Sequence, residues 1–171
     1  MSSYSNALEK IGFKKLHSDA KLPTKNEGDI GWDFYCVKDD YFKDGYKIPE
    51  EEMSFHVSAT KKLFALYPGE RYIFSTGLAP ILPKKLNLLL WDRSGLSVNK
   101  GIHRLAGVID SSYTGEIKVC LYNSSDYTYI VAEGDKIVQG ILQWEVPAEV
   151  EWTKELKETE RGNKGFGSTG K

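Results

Sequence analysis

The stretch EIKVCLYN, residues 116–123, decides the fold class. Ile117, Val119 and Leu121 fall on one side, and Lys118, Cys120 and Tyr122 on the other. That period of two is the mark of a half-buried β-strand. Further β-branched and aromatic runs surround it: YIFSTGLAPIL (72–82), LNLLLW (86–91), YTYIVAEG (127–134) and DKIVQGILQWEV (135–146). Gly, Pro, Asn and Asp separate them, as turns require. The spacing predicts an all-β sandwich or barrel-like domain. Asn6 to Lys10 reads as a short helical turn. Residues 38–60 carry the charge clusters KDD and PEEE on a weak apolar pattern, and read as an insertion. Residues 146–161 form a charged connector to a glycine-rich end. The expected organisation is one domain over residues 1–160 and a flexible arm over 161–171.

The 171 residues suffice for one well-buried core. Twenty-three basic residues against 24 acidic ones argue against a nucleic-acid surface. No run approaches a membrane span, and MSSYSNALEK lacks the apolar core of a signal peptide. Cys36 and Cys120 match no metal or redox spacing, so reduced thiols in a cytoplasmic protein are expected.

Five stretches carry chemistry. EGDIGWDFYC (27–36) brings Asp29 and Asp33 around Gly31, a solvated turn or a pair able to hold magnesium directly or through its waters. WDRSGLSVNKG (91–101) offers the Arg93 fork for phosphate, the Ser94 hydroxyl, and Gly95 for close approach of an oxyanion. Ser94 equally suits a helix cap, and both roles can hold at once. AGVIDSSYTGEIKV (106–119) places Asp110 after a small apolar run, either a turn aspartate or a partly desolvated general base. GDKIVQGIL (134–142) sets Gln139 alone in an apolar strand, facing solvent or a ligand. RGNKGFGSTG (161–170) satisfies G-x-G-x-x-G but lacks the following helix of a dinucleotide loop. It also lacks the lysine of a P-loop, Ser168 standing in its place. Arg161, Lys164 and Phe166 between its glycines suit a nucleoside polyphosphate better than a plain linker.

In this order the five stretches resemble the motifs of the homotrimeric all-β dUTPase family, phage- or bacterial-type, with an insertion between the first and second motifs. KLHSDAKLPTKNEG (15–28) and YPGERYIFSTGLAPILP (67–83) agree as well. The resemblance implies a distorted β-barrel or jelly-roll, trimeric, with exchanged C-terminal arms and active sites at subunit interfaces. It implies magnesium-dependent hydrolysis of dUTP to dUMP and pyrophosphate, which limits uracil in DNA and supplies dUMP for dTMP synthesis. Asp110 would orient and deprotonate the attacking water, and Tyr113 would pack on the deoxyribose. The hairpin over residues 101–110, with Gly107, Val108 and Ile109, would read uracil through its backbone. Lys118 would stand near the nucleotide. Arg93, Ser94 and Gly95 would hold phosphate from a neighbouring subunit, and Gln139 would contact the α-phosphate region or a metal-bound water. Asp33 would join the magnesium–water network. From the arm, Arg161 would meet the phosphates, Phe166 would stack on uracil, and Gly167, Ser168 and Thr169 would wrap the triphosphate.

Three features depart from the pattern. Asp92 stands where many members have proline, turned toward the phosphates or paired with Arg93. Arg104 takes a position that is often asparagine. Asp33 and Pro68 lie 35 positions apart, a longer gap than the family leads one to expect. The segment 38–60 suits surface decoration or a protein partner, and a regulatory binding protein on the same scaffold is the alternative reading. A dCTP deaminase relative fits less well, because Asp110 precedes Tyr113 and the glycine-rich end is present.

Overall fold

The computed structural model describes residues 10–39, 62–156, 159 and 162. Eleven strands and one helix follow in order among them. They are β1 (Gly12–Lys15), β2 (Trp32–Tyr35), β3 (Leu63–Leu66), β4 (Arg71–Ser75), β5 (Leu78–Ile81), β6 (Leu86–Trp91), α1 (Ser94–Lys100), β7 (Ile102–Leu105), β8 (Val108–Ile109), β9 (Lys118–Asn123), β10 (Tyr129–Ala132) and β11 (Lys136–Trp144). The all-β expectation holds.

Every pairing is antiparallel. A four-stranded sheet runs β2-β11-β6-β8 and a three-stranded sheet runs β4-β9-β7; β1-β5 and β10-β3 form two-stranded ribbons. β9 buries the face its alternation marked: Ile117 just before it, then Val119 and Leu121 within it, are at most 1% exposed. Each such aliphatic side chain contributes roughly 1.5–3 kcal/mol of burial. They join Phe34, Leu66, Phe74, Leu88, Ile102, Val131 and Val138 in one core. Phe64, Tyr72 and Phe74 stack within it, with centroids 4.1 to 5.3 Å apart.

Among the described residues two polar side chains are fully buried, and both are satisfied. Thr76 Oγ1 donates to Ile117 O at 2.7 Å. Asn123 Nδ2 donates to Leu66 O and Tyr127 O, and its Oδ1 accepts from Ser125.

The run YIFSTGLAPIL is two strands rather than one. β4 pairs with β9 and β5 with β1, so the chain changes partner at Thr76–Gly77. Gly77 has φ +67°, and a Cβ there would stand 2.8 Å from the Cβ atoms of His17 and Ala20. Only glycine meets both demands.

Most of the expected helical turn at 6–10 lies outside the described residues. So do positions 40–60 of the expected insertion, and Arg161, Phe166, Gly167, Ser168 and Thr169 of the expected arm. The connector from residue 146 to 156 has no regular structure, and its Val150 and Trp152 are wholly exposed in the single chain. Among the described residues no helix is long and apolar enough to cross a membrane.

Candidate active site

β11 lies between β2 and β6, and its register sets Gln139 opposite Asp33 on one side and Trp91 on the other. Arg93, Ser94 and Gly95 follow β6 directly. Three segments far apart in sequence thereby meet at one end of a sheet. They line a cleft of about 320 Å³ containing Asp33, Arg93, Ser94, Gly95 and Gln139, with Asn26 and Asp29 at its rim. Two larger clefts lie elsewhere and hold none of these five residues.

An ion cluster organises the cleft. Arg93 Nε donates to Asp33 Oδ1 at 2.8 Å, and its Nη1 donates to Lys136 O at 3.1 Å. Lys136 Nζ sits 2.8 Å from Asp33 Oδ2. This hydrogen bond to Asp33 holds the lysine above its ordinary pKa. Sequence reasoning passed over Lys136, and the structure supplies the reason. Lys136 and Gln139 are three apart, so strict alternation puts them on opposite faces. The register slips between Lys136 and Val138, a β-bulge, and Lys136 turns toward Asp33. Two adjacent buried side chains, Ile137 and Val138, mark the slip.

Gln139 is half-buried rather than open to solvent. The side chain is part-buried and lines the cleft, and its Nε2 donates to Asp92 O at 2.8 Å. Gly31 makes room for it, since a Cβ there would stand 2.5 Å from Gln139 Oε1. Ser94 is not the helix cap. Arg93 takes that position with extended backbone and no side-chain cap, and Ser94 is the first helical residue.

A second group gathers around the turn after β7. Ala106 and Gly107 have φ +63° and +150°. A Cβ at Gly107 would stand 2.9 Å from Leu90 O, and Leu90 N donates to Gly107 O at 2.7 Å. The expected hairpin over 101–110 is a corner instead: β7 pairs with β9, while β8 pairs with β6. Val108 is exposed, Ile109 is half-buried opposite Leu88, and Asp110 follows them, exposed. The expected partial desolvation of Asp110 is therefore not met within one chain. Its carbonyl accepts from Tyr113 N at 3.0 Å. Tyr113 lies across Gly115 and donates its hydroxyl hydrogen to Glu116 O at 2.7 Å. Lys118 is exposed, 3.8 Å from Glu116 Oε2.

These two groups do not meet inside one chain. Ser111 N donates to Asn87 Oδ1, so Asp110 stands near the beginning of β6, whereas Arg93 lies beyond its end. At strand rise the separation is roughly 15–20 Å.

Asp92 turns neither to the phosphate side nor to Arg93. Its Oδ1 accepts from Arg104 N at 2.8 Å, and its Oδ2 lies 3.0 Å from His103 Nδ1. Arg104 spans the corner: its Nη1 donates to Ala106 O at 2.6 Å and its guanidinium lies 5.5 Å from the Trp91 ring centroid.

Residues 45–170 match the family described as dUTPase. The deoxyuridine 5'-triphosphate nucleotidohydrolase of Hydrogenobaculum sp. is 37% identical over 164 residues, which span 94% of this chain and 98% of the relative. The chain belongs to the dUTPase family. The family match begins at residue 45, so EGDIGWDFY is carried by the longer relative alignment. A dUTPase mutant of Staphylococcus bacteriophage 80alpha, solved with dUpNHpp, superposes with a TM-score of 0.72 at 22% identity, covering 95% of this chain and 99% of its own. A mutant dUTPase of S. aureus phage phi11, described with a structural Mg(II) ion, superposes at 0.67 with 20% identity, over 88% and 100%. This dUTPase therefore shares their fold.

Magnesium was expected beside Asp33. Among the described residues no group of three His, Cys, Asp or Glu side chains could cage a metal. Asp33 already meets two cations in this dUTPase. One carboxylate beside two cations fits magnesium that arrives on a triphosphate and keeps most of its waters.

Proposed function

We propose that this dUTPase hydrolyses dUTP to dUMP and pyrophosphate at a site that two or more copies complete. The observation that carries this reading is the meeting of Asp33, Arg93 and Gln139 in one polar cleft beside Ser94 and Gly95. A planar arginine fork, a hydroxyl and an accessible glycine backbone suit phosphate oxygens. A base must lie within hydrogen-bond reach of its water, directly or through one other. Asp110 lies too far from Arg93 to serve the same α-phosphate within one chain. A neighbouring copy supplies the missing half, and a homotrimer is the assembly we assign.

At the joined site Asp110 accepts a proton from water as its oxygen attacks the α-phosphorus. The bond to the bridging oxygen breaks, and its electron pair leaves with pyrophosphate. Arg93, Ser94, Gly95 and Gln139 hold the phosphates in line for that displacement. Asp33 would hold, through water, magnesium carried on the triphosphate, which would supply charge neutralisation. Gly107, Val108 and Ile109 offer backbone groups to the uracil edge, and a cytosine would leave those groups unpaired. Tyr113, packed against Gly115, is the surface for the deoxyribose, and Lys118 stands near the nucleotide. Arg161, Phe166, Gly167, Ser168 and Thr169 close the site as an arm. We assign the reaction to the cytoplasm, where free Cys36 and Cys120 stay reduced.

The deciding experiment measures pyrophosphate release from dUTP, dCTP, dTTP and UTP with magnesium. The expected result is turnover of dUTP far above the other three, and comparable turnover of dCTP or UTP would sink the reading. Residues 38–60 are assigned a protein-binding role; phage dUTPases of this fold control transfer of virulence genes. Deleting them is expected to spare dUTP hydrolysis.

A further inference from the structure

We infer that Asp92 is a positioning residue that fixes the base-reading corner and the phosphate cleft relative to each other. The inference rests on the proposed dUTP reaction.

β6 ends at Trp91, and Asp92 begins the connection to α1. β7 is the outer strand of the order β4-β9-β7, so one of its edges has no strand partner among the described residues. An open edge presents backbone N–H groups that need acceptors. Asp92 supplies one, its Oδ1 accepting from Arg104 N at 2.8 Å. Its second oxygen takes His103 Nδ1 at 3.0 Å. A carboxylate only accepts, so the imidazole proton sits on Nδ1. One side chain thus ties the end of a strand in the four-stranded sheet to the edge of the three-stranded sheet.

The same residue reaches the cleft through its backbone. Its carbonyl receives Gln139 Nε2 at 2.8 Å, and the next residue is Arg93, paired with Asp33. On the other side Arg104, held at its N–H by Asp92, donates to Ala106 O beside Gly107. The chain of contacts therefore runs from Ala106 through Arg104, Asp92 and Gln139 to the cleft. A proline here would offer no carboxylate and could hold neither His103 nor Arg104. In an assembly where the corner of one chain meets the cleft of the next, each site depends on two such clamps.

The test compares the parent with Asp92→Ala and Asp92→Asn. It reads KM and kcat for dUTP, inhibition by dUMP and by pyrophosphate, and thermal midpoint. Asp92→Ala is expected to raise KM about tenfold, the scale of a lost hydrogen bond to a charged group, with kcat changed less. Inhibition by dUMP and by pyrophosphate is expected to weaken together. Asp92→Asn keeps an acceptor for Arg104 N and is expected to recover most of the loss. His103→Ala removes one arm of the clamp from a half-exposed side chain, and is expected to fall between. It decides the matter should Asp92→Ala not fold. KM and both inhibition constants within twofold of the parent in the alanine variants would overturn the inference. Equal impairment by alanine and asparagine would also overturn it. A parent that does not hydrolyse dUTP overturns the proposed function itself, so the two failures are distinct.

Discussion

Arg93 donates its Nε–H to Asp33 Oδ1 at 2.8 Å across 60 positions of chain. Lys136 holds the other oxygen of the same carboxylate, so one aspartate pairs with two cations and aims Arg93 at the cleft. Asp33→Ala is expected to lower kcat/KM for dUTP about tenfold, through lost aim rather than lost fold. The pair is partly solvated, and its contribution to stability is on the order of 1 kcal/mol or less. Steady-state kinetics beside a thermal melt separates the two effects. A large fall in melting temperature with unchanged kinetics would contradict the assignment.

Gly31 precedes β2 and Gly140 lies within its partner β11, and the two guard different things. A Cβ at Gly31 meets the movable end of Gln139, whereas one at Gly140 meets Phe34 Cε2 at 2.6 Å and Leu88 Cδ1 at 2.8 Å. Gly31→Ala is expected to spare stability and lower activity several-fold by displacing the Gln139 amide. Gly140→Ala overpacks the core and is expected to cost about 1–3 kcal/mol. Denaturant titration and dUTP turnover on both variants check the contrast.

Asp110→Asn removes the proposed base and keeps its shape. Its kcat is expected to fall ~10²-fold or more, with dUTP analogue affinity nearly retained. A variant that keeps full kcat would dismiss Asp110 as the base.

Assembly carries its own expectation. Sedimentation is expected to give three times the 19.3 kDa chain mass. A chain ending at residue 160 is expected to stay trimeric while losing nearly all turnover, because the proposed arm would no longer be there to close over substrate. Normal dUTP turnover by the shortened chain would refute the arm.

The buried Cys36 gives a pH dependence. Its sulfur donates to Ala132 O, and burial pushes its pKa from 9.0 up to about 12. Above pH 9 the unfolded chain releases a proton that the folded chain keeps, so stability falls as pH rises toward 12. The slope from one such proton approaches 1.4 kcal/mol per pH unit. Cys36→Ala is expected to flatten that part of the curve in urea melts at pH 8, 9 and 10. An unchanged slope would mean that other groups set it.

The sequence by itself determined the all-β class, because alternation such as that of Ile117, Val119 and Leu121 depends only on the two-residue period of a strand. It also determined which side chains could serve phosphate and base, because those roles follow from functional groups. Tertiary structure alone decided where they stand. Register on β11 set Gln139 against Asp33, and a bulge that no local pattern announces turned Lys136 to the same carboxylate. Asp92 read as an acid turned toward the phosphates or paired with Arg93, and its carboxylate instead ties two sheets, because β7 offered it N–H donors. The 101–110 hairpin became a corner because β7 and β8 found other partners. Pairing between distant segments is a property of the packed whole. Neither the spacing of residues nor their chemistry contains it.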